Sequence, residues 1–289
     1  MISTKSTTLL RELIAGDDAL VAPGVFDGLS ARLVEQAGFP AVYASGGAIA
    51  RSSGIPDLGL LGIGEVVDHL RTIVESVSIP VIADADTGYG NALNVRRAVQ
   101  EFERLGVAAL HLEDQSFPKR CGHLDDKSLV PVEEMAQKLR AAREVLQGSD
   151  LVLIARTDAI AVEGFDAALD RAEQYGEAGA DVLFVEAPET EEQIETIAER
   201  LPGPKLINMF QGGKTPLVST QRLSALGYRI VIIPSDLQRA AVYAMQRTLE
   251  AIRSDGSSAT FAASMISFDE REEIVGTADY LALSQRYGD

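Results

Sequence analysis

Short apolar runs alternate with amphipathic stretches along almost the whole chain. The runs fall at residues 19–22, 41–44, 80–83, 108–112, 151–155, 181–185, 205–208 and 229–233. Several are continuously apolar and rich in Val and Ile, the pattern of parallel strands covered on both faces. Between them, Leu, Val and Ala recur at three- and four-residue intervals, the spacing of one buried helix face. These helix-like stretches are 28–36, 64–77, 92–105, 132–146, 165–178, 191–201 and 220–226. Gly38, Gly106, Gly179 and Gly227 follow four of them, where a helix C-cap favours Gly. About eight βα repeats in this order predict an α/β fold, a (β/α)8 barrel of the TIM type.

Two regions exceed a bare barrel. Residues 115–131 make a long polar connection. In a compact domain such a loop is functional or disordered, and a mobile lid is the expectation. A tail over about 257–289 follows the eighth repeat; it reads as helical, with Ile274, Ala278, Tyr280 and Leu283 apolar. It needs a surface to pack on, in its own barrel or in a neighbouring subunit. No linker or low-complexity segment interrupts the chain, so a single domain over 1–289 is expected.

Composition narrows the partners. A hydrophobic share of 46% is ample for a large core, and a net charge of -17 argues against nucleic acid or an anionic membrane. The one cysteine excludes an intramolecular disulfide and fits a reducing cytoplasm. The start, Met1-Ile2-Ser3-Thr4-Lys5-Ser6, lacks the apolar core of a signal peptide. No apolar run nears the roughly 20 residues of a transmembrane helix. The expectation is a soluble, cytoplasmic protein acting on a small molecule.

In barrels of this type the catalytic groups stand at the carboxyl ends of the strands. Here those positions carry Ser45-Gly46-Gly47, Asp84-Ala85-Asp86, His111-Leu112-Glu113-Asp114, Arg156-Thr157-Asp158, Glu186 and Asn208, with Arg239 just beyond the eighth strand. A lone Asp after a strand is more often a helix cap than a ligand. Polar groups at nearly every strand end are harder to dismiss. Asp84 and Asp86, two apart on a strand, can both face the barrel mouth. Asp57 and Glu113 can join them directly or through water. Few carboxylates with several waters suit Mg²⁺, with Mn²⁺ the alternative. Ser45-Gly46-Gly47 offers backbone N–H groups as a nest for a carboxylate. Arg156 and Arg239 can each grip a substrate carboxylate bidentately. Gly212-Gly213-Lys214-Thr215-Pro216 lacks the spacing of a phosphate-binding loop, and no dinucleotide fingerprint is present.

The single cysteine sits in Lys119-Arg120-Cys121-Gly122-His123. A lone cysteine can be a small buried hydrophobe. The crowded cations argue instead for a polar loop and favour thiolate over thiol. Cys121 is therefore the candidate catalytic acid or base.

Taken with Asp84-Ala85-Asp86-Thr87-Gly88-Tyr89-Gly90-Asn91 and His111-Leu112-Glu113-Asp114-Gln115, this motif resembles the isocitrate lyase/phosphoenolpyruvate mutase superfamily over about residues 21–241. The resemblance implies a barrel whose last helix is exchanged between subunits, and a homotetramer built from two such dimers. It implies a Mg²⁺-dependent enzyme acting on α-keto or α-hydroxy acids through enolate-type intermediates, and the cysteine points to its carbon–carbon lyases. The implied catalytic set is Cys121, His123, Glu113, His111 and Arg156. Ser45, Gly46, Gly47, Gly122, Glu186, Asn208 and Arg239 would bind substrate, and Asp84, Asp86, Asp57 and Glu113 the metal. Whether Glu113, His111 or a metal-bound water takes the substrate's hydroxyl proton stays open. Arg239 resembles an arginine of the methylisocitrate-cleaving members, but Phe268 falls where those carry a second one. Gly212-Gly213-Lys214-Thr215-Pro216 is more similar to the dimethylmalate-cleaving members, the petal death protein and the carboxyphosphonoenolpyruvate mutases. The expected reaction is thus cleavage of a 2-alkylmalate of the dimethylmalate kind, with methylisocitrate cleavage next. Phosphonomutase, oxaloacetate hydrolase and idle metabolite-binding barrel are the remaining alternatives.

Overall fold

In the computed structural model, which describes residues 3–122 and 126–288, the apolar runs pair edge to edge as parallel strands. They are β1 (Leu20–Val25), β2 (Val42–Ala44), β3 (Val81–Asp84), β4 (Ala109–Glu113), β5 (Val152–Thr157), β6 (Val182–Val185), β7 (Lys205–Asn208) and β8 (Tyr228–Ile233). They follow one another around a closed barrel, and β8 returns to β1 with Ile230 opposite Leu20. Helix α1 (Ser3–Ala15) precedes the barrel. The connections hold α2 (Gly28–Gln36), α3 (Gly46–Ser52), α4 (Ile63–Val74), α5 (Ala92–Leu105), α6 (Val132–Val145), α7 (Ile160–Glu163), α8 (Phe165–Glu177), α9 (Glu191–Arg200) and α10 (Thr220–Ala225). After β8 come α11 (Asp236–Asp255), a 3-10 turn (Ala259–Ser264), α12 (Phe268–Val275) and α13 (Thr277–Tyr287).

Strand alternation sorts the apolar side chains into two layers. Leu20, Tyr43, Ile82, Ile154, Phe184, Leu206 and Ile230 fill the barrel, and Leu10, Leu13 and Ile14 of α1 join them. Val42, Leu70, Phe102, Leu110, Leu139, Leu153 and Ile194 form the second layer, between strands and helices. Each large side chain fully buried there contributes roughly 1.5–3 kcal/mol. Arg11 ties α1 down, its Nε donating to the Asp150 carbonyl at 2.7 Å and its Nη2 to the Leu151 carbonyl at 3.1 Å. The carboxyl ends of the strands are left to carry polar groups.

The eight predicted strands and seven predicted helices are all present. Gly38, Gly106, Gly179 and Gly227 each adopt the positive φ that a left-handed helix end requires. Helices α1, α3, α7 and α11 were not predicted. The tail expected from residue 257 is preceded by the 20-residue α11, which has no buried residue. Tyr243 and Leu249 on α11 and Tyr280 and Tyr287 on α13 are exposed. No helix among the described residues is long and apolar enough to cross a membrane.

Candidate active site

A cavity of about 270 Å³ opens at the carboxyl ends of the strands. Of the predicted site residues, Ser45, Gly47, Asp57, Asp84, Cys121, Gly122, Arg156, Glu186, Asn208 and Arg239 line it. Gly46, Asp86, His111 and Glu113 stand behind that lining, and His123 lies outside the described residues. Sequence reasoning missed Tyr43, Arg51 and Gln238, and it missed Phe210 and Ile232, which form an apolar wall with Pro234, a residue that resembles the family's lyases rather than its oxaloacetate hydrolases.

The acidic side is built at the end of β3. The strand ends at Asp84; Asp86 follows in a left-handed conformation, φ +47°. A turn, not strand alternation, therefore brings Asp86 toward Asp84, and the Asp86 N–H donates to Asp84 Oδ1 at 3.0 Å. The Gly46 N–H donates to Asp84 Oδ2 at 3.2 Å. A Cβ at Gly46 would stand 2.6 Å from that oxygen, so only glycine allows the approach. The anticipated nest at Ser45-Gly46-Gly47 thus receives a carboxylate of its own chain, while the Ser45 hydroxyl caps α3 by accepting from the Ala48 N–H at 3.3 Å.

Lys119 does not flank the thiol as expected. It is 4% exposed, and its Nζ lies 2.5 Å from Asp57 Oδ1 and 2.7 Å from Asp86 Oδ1. Three clustered carboxylates need a cation, and the ammonium supplies one. Burial would raise the Asp84 carboxyl, but His111, Lys119 and Arg156 hold it down to about 2. Burial pushes Asp86 the other way, up to about 6, against the pull of Lys119.

Beneath the cavity floor, Tyr43 covers His111. Their rings stack at 5.8 Å, and the Tyr43 hydroxyl lies 2.8 Å from His111 Nε2 and 3.3 Å from Asp84 Oδ2. His111 is fully buried, and burial lowers its pKa while the neighbouring Asp84 carboxylate opposes that shift. It stands behind the lining, against Tyr43 and against Asp84, whose Oδ1 lies 3.4 Å from its Nε2, which corrects the expectation that His111 itself faces substrate. Glu113 lies equally deep, and burial raises its pKa well above the ordinary range.

The cationic side is partly committed within the chain. Arg156 Nε and Nη2 both bond Asp158, at 2.9 and 3.0 Å, so the fork expected to grip substrate already holds a carboxylate. A buried guanidinium needs such a partner. Arg239 sits at the rim, more than half exposed, with Nη1 donating to the Gln211 carbonyl at 2.5 Å. Cys121 is half-buried at the cavity edge. The arms of its loop meet where the Gln115 and Leu129 backbones bridge. Lys127 Nζ, from the returning arm, donates to the Gly122 carbonyl and to Asp158 Oδ1 at 3.0 Å. This is more enclosed than the polar, exposed loop the sequence predicts.

Among the described residues, no three of His, Cys, Asp and Glu converge closely enough to hold an ion by themselves. The donor set is all oxygen, and Glu113 Oε1 has no hydrogen-bond partner among the described residues. That combination fits a hard divalent cation taken up through few carboxylates and several waters.

The chain matches the profile described as phosphoenolpyruvate phosphomutase over residues 10–253. It belongs to that family. It is 43% identical over 279 residues to 2,3-dimethylmalate lyase of Eubacterium barkeri, covering 96% of each chain. It is 40% identical to 2-methylisocitrate lyase of Bacillus subtilis, covering 95% of this chain and 91% of that one. Among solved structures, oxaloacetate acetylhydrolase in complex with the inhibitor 3,3-difluorooxalacetate superposes with a TM-score of 0.94 at 34% identity, covering 100% of this chain and 99% of that one. The resemblance to the isocitrate lyase/phosphoenolpyruvate mutase superfamily therefore holds, and with both sequence relatives named lyases the chain stands among the family's carbon–carbon lyases. Phosphonopyruvate hydrolase in complex with oxalate and Mg²⁺ superposes with a TM-score of 0.89 at 33% identity, covering 98% of this chain and 99% of that one.

Proposed function

We propose that the protein cleaves a 2-hydroxy dicarboxylate of the 2,3-dimethylmalate type into pyruvate and a carboxylic acid, with Cys121 as proton donor. One observation carries this reading: a single cavity brings Cys121, the Asp84 and Asp57 carboxylates, three arginines and an apolar wall to the same small volume. About 270 Å³ lies below the roughly 300–1,000 Å³ of drug-sized sites and suits a small acid with methyl branches.

Asp84, with Asp57, Asp86 and Glu113, would hold the cation, for which Mg²⁺ is the reading that oxygen donors favour. When bound, the cation supplies Lewis-acid polarisation of the substrate's hydroxyl and adjacent carboxylate. Arg156 and Arg239 orient the carboxylates, and Phe210, Ile232 and Pro234 receive the alkyl groups. Tyr43 is placed to relay the hydroxyl proton toward His111, whose Nε2 lies 2.8 Å from its hydroxyl. As the C2–C3 bond breaks, its electron pair passes to C3 and the adjoining carboxyl group, giving an aci-carboxylate. The Cys121 thiol then protonates C3, leaving a thiolate beside Arg156. The half-enclosed cavity keeps water from competing for that carbon.

The test is a panel of 2,3-dimethylmalate, 2-methylisocitrate and citramalate with purified protein and Mg²⁺, read as keto acid released. The first is expected to turn over fastest, and no keto acid from any of the three would end this reading. Arg239 at the rim favours 2-methylisocitrate as the second reading, since a third carboxylate needs a further cation. Phe268 does not line the cavity and instead carries the Arg271 guanidinium on its ring at 5.0 Å. We also propose a homo-oligomer, supported by the exposed apolar residues of α11 and α13; sedimentation at micromolar concentration should give at least a dimer.

A further inference from the structure

Lys127 has no part in the chemistry above, yet it is 8% exposed on an otherwise polar loop. A buried ammonium is tolerated where its protons find acceptors. Its two acceptors, the Gly122 carbonyl and Asp158 Oδ1, both lead into the site. Gly122 follows Cys121 directly and packs so closely that a Cβ there would stand 2.2 Å from Arg156 Nη2 and 2.9 Å from Glu186 Cγ. Asp158 divides its oxygens between Lys127 and the Arg156 fork. One carboxylate thus ties the loop and the guanidinium to the same point. The foot of the loop is pinned independently, with the Val130 N–H donating to the Asp114 carbonyl at 2.9 Å and the Ser116 N–H to the Ser128 carbonyl at 2.8 Å. The loop's two arms therefore stay together without Lys127, whose bonds fix something further along.

We propose that Lys127 is a positioning residue: with Asp158 it holds the Gly122 carbonyl, and through that peptide it holds the Cys121 thiol over the cavity. The proposal rests on the reading of Cys121 as proton donor, but the thiol's position can be measured without turnover. Cys121 is the chain's one cysteine, so alkylation reports on it alone.

The experiment is iodoacetamide alkylation of the full-length protein, carried from about pH 6 to about pH 10 so that the plateau, where the thiol is ionised, reads access alone. Lys127→Met should raise the plateau rate about tenfold or more, the scale of one charge-assisted hydrogen bond lost. It should lower kcat on 2,3-dimethylmalate by about as much, with KM nearly unchanged. Lys127→Arg, which keeps a charged donor, should recover part of both. A folded Lys127→Met protein with native plateau and native kcat would overturn the proposal. So would loss of the native circular-dichroism spectrum in both variants, because the residue would then be serving the fold. If the unsubstituted protein cleaves none of the acids while Lys127→Met still raises the plateau, the substrate reading fails and the positioning role stands.

Discussion

At the end of β4 the chain sets two carboxylates back to back. Glu113 points into the barrel, with one oxygen 3.5 Å from Arg156 Nε and the other without a hydrogen-bond partner among the described residues. Asp114, the next residue, points to the outer layer. It accepts from Thr157 Oγ1 at 2.7 Å, the Asp158 N–H at 3.0 Å, the Tyr175 hydroxyl at 2.9 Å and Arg171 Nη1 at 3.3 Å. Both are 1% exposed or less, so burial does not distinguish them. Satisfaction does. The Asp114 cluster is closed and holds the fold together, whereas the Glu113 side keeps acceptors in reserve for something that arrives from outside.

The largest expected effect lies on the open side. Cys121→Ser keeps the shape but replaces the thiol with a far weaker acid. Steady-state kinetics on 2,3-dimethylmalate should give a kcat lower by about two to four orders of magnitude. The melting temperature and Mg²⁺ affinity should stay near native, since neither depends on the sulfur. Near-native turnover would mean that the thiol only packs.

The closed side should respond in the opposite currency. Asp114→Ala takes the buried acceptor from Thr157 Oγ1, the Asp158 N–H and the Tyr175 hydroxyl, while Arg171 keeps its paired bonds to Glu163, and losing such a carboxylate costs about 2–4 kcal/mol. In a chain of this size that is a fall in melting temperature of about 3–7 °C. Protein that remains folded should keep kcat within a few fold. A variant that loses turnover without losing stability would erase the distinction between the two carboxylates.

How much of this was legible in the sequence follows the same division. The strands were readable because both faces of each are covered, leaving continuous apolar runs such as Leu151 to Ala155. α11 follows the eighth strand with its apolar side chains exposed, so it lies outside the run of βα repeats that the apolar pattern marks. α3 is short and opens on Gly46-Gly47, which read as loop. Of the site, the strand-end residues were legible because the barrel's geometry gathers them. Their pairings were not. Lys119 reads as a neighbour of Cys121 along the chain, but it spends its charge on Asp57, 62 positions earlier. Lys127 meets Asp158 across 31 positions, and Tyr43 reads as one more apolar strand residue. Local spacing carries no information about contacts at such separations.

The smallest effect tests the open side without substrate. Asp86 has its carboxyl raised from an ordinary 3.8 to about 6, with burial the main cause and Lys119 opposing. A raised carboxyl favours the protonated form in the folded state. Its contribution to stability is therefore fully present below about pH 4 and lost as pH rises through about 6. Asp86→Asn stays neutral and escapes that loss. In urea titrations without metal it should match the unsubstituted protein near pH 4 and exceed it above pH 6, by about 1–3 kcal/mol on the scale of 1.36 kcal/mol per pKa unit. Millimolar Mg²⁺ should reverse the order at neutral pH, because the cation stabilises only the chain that binds it, by an amount set by concentration over Kd. If Asp86→Asn gains nothing above pH 6, the acidic cluster is already satisfied by Lys119, and the open side is as closed as the Asp114 side.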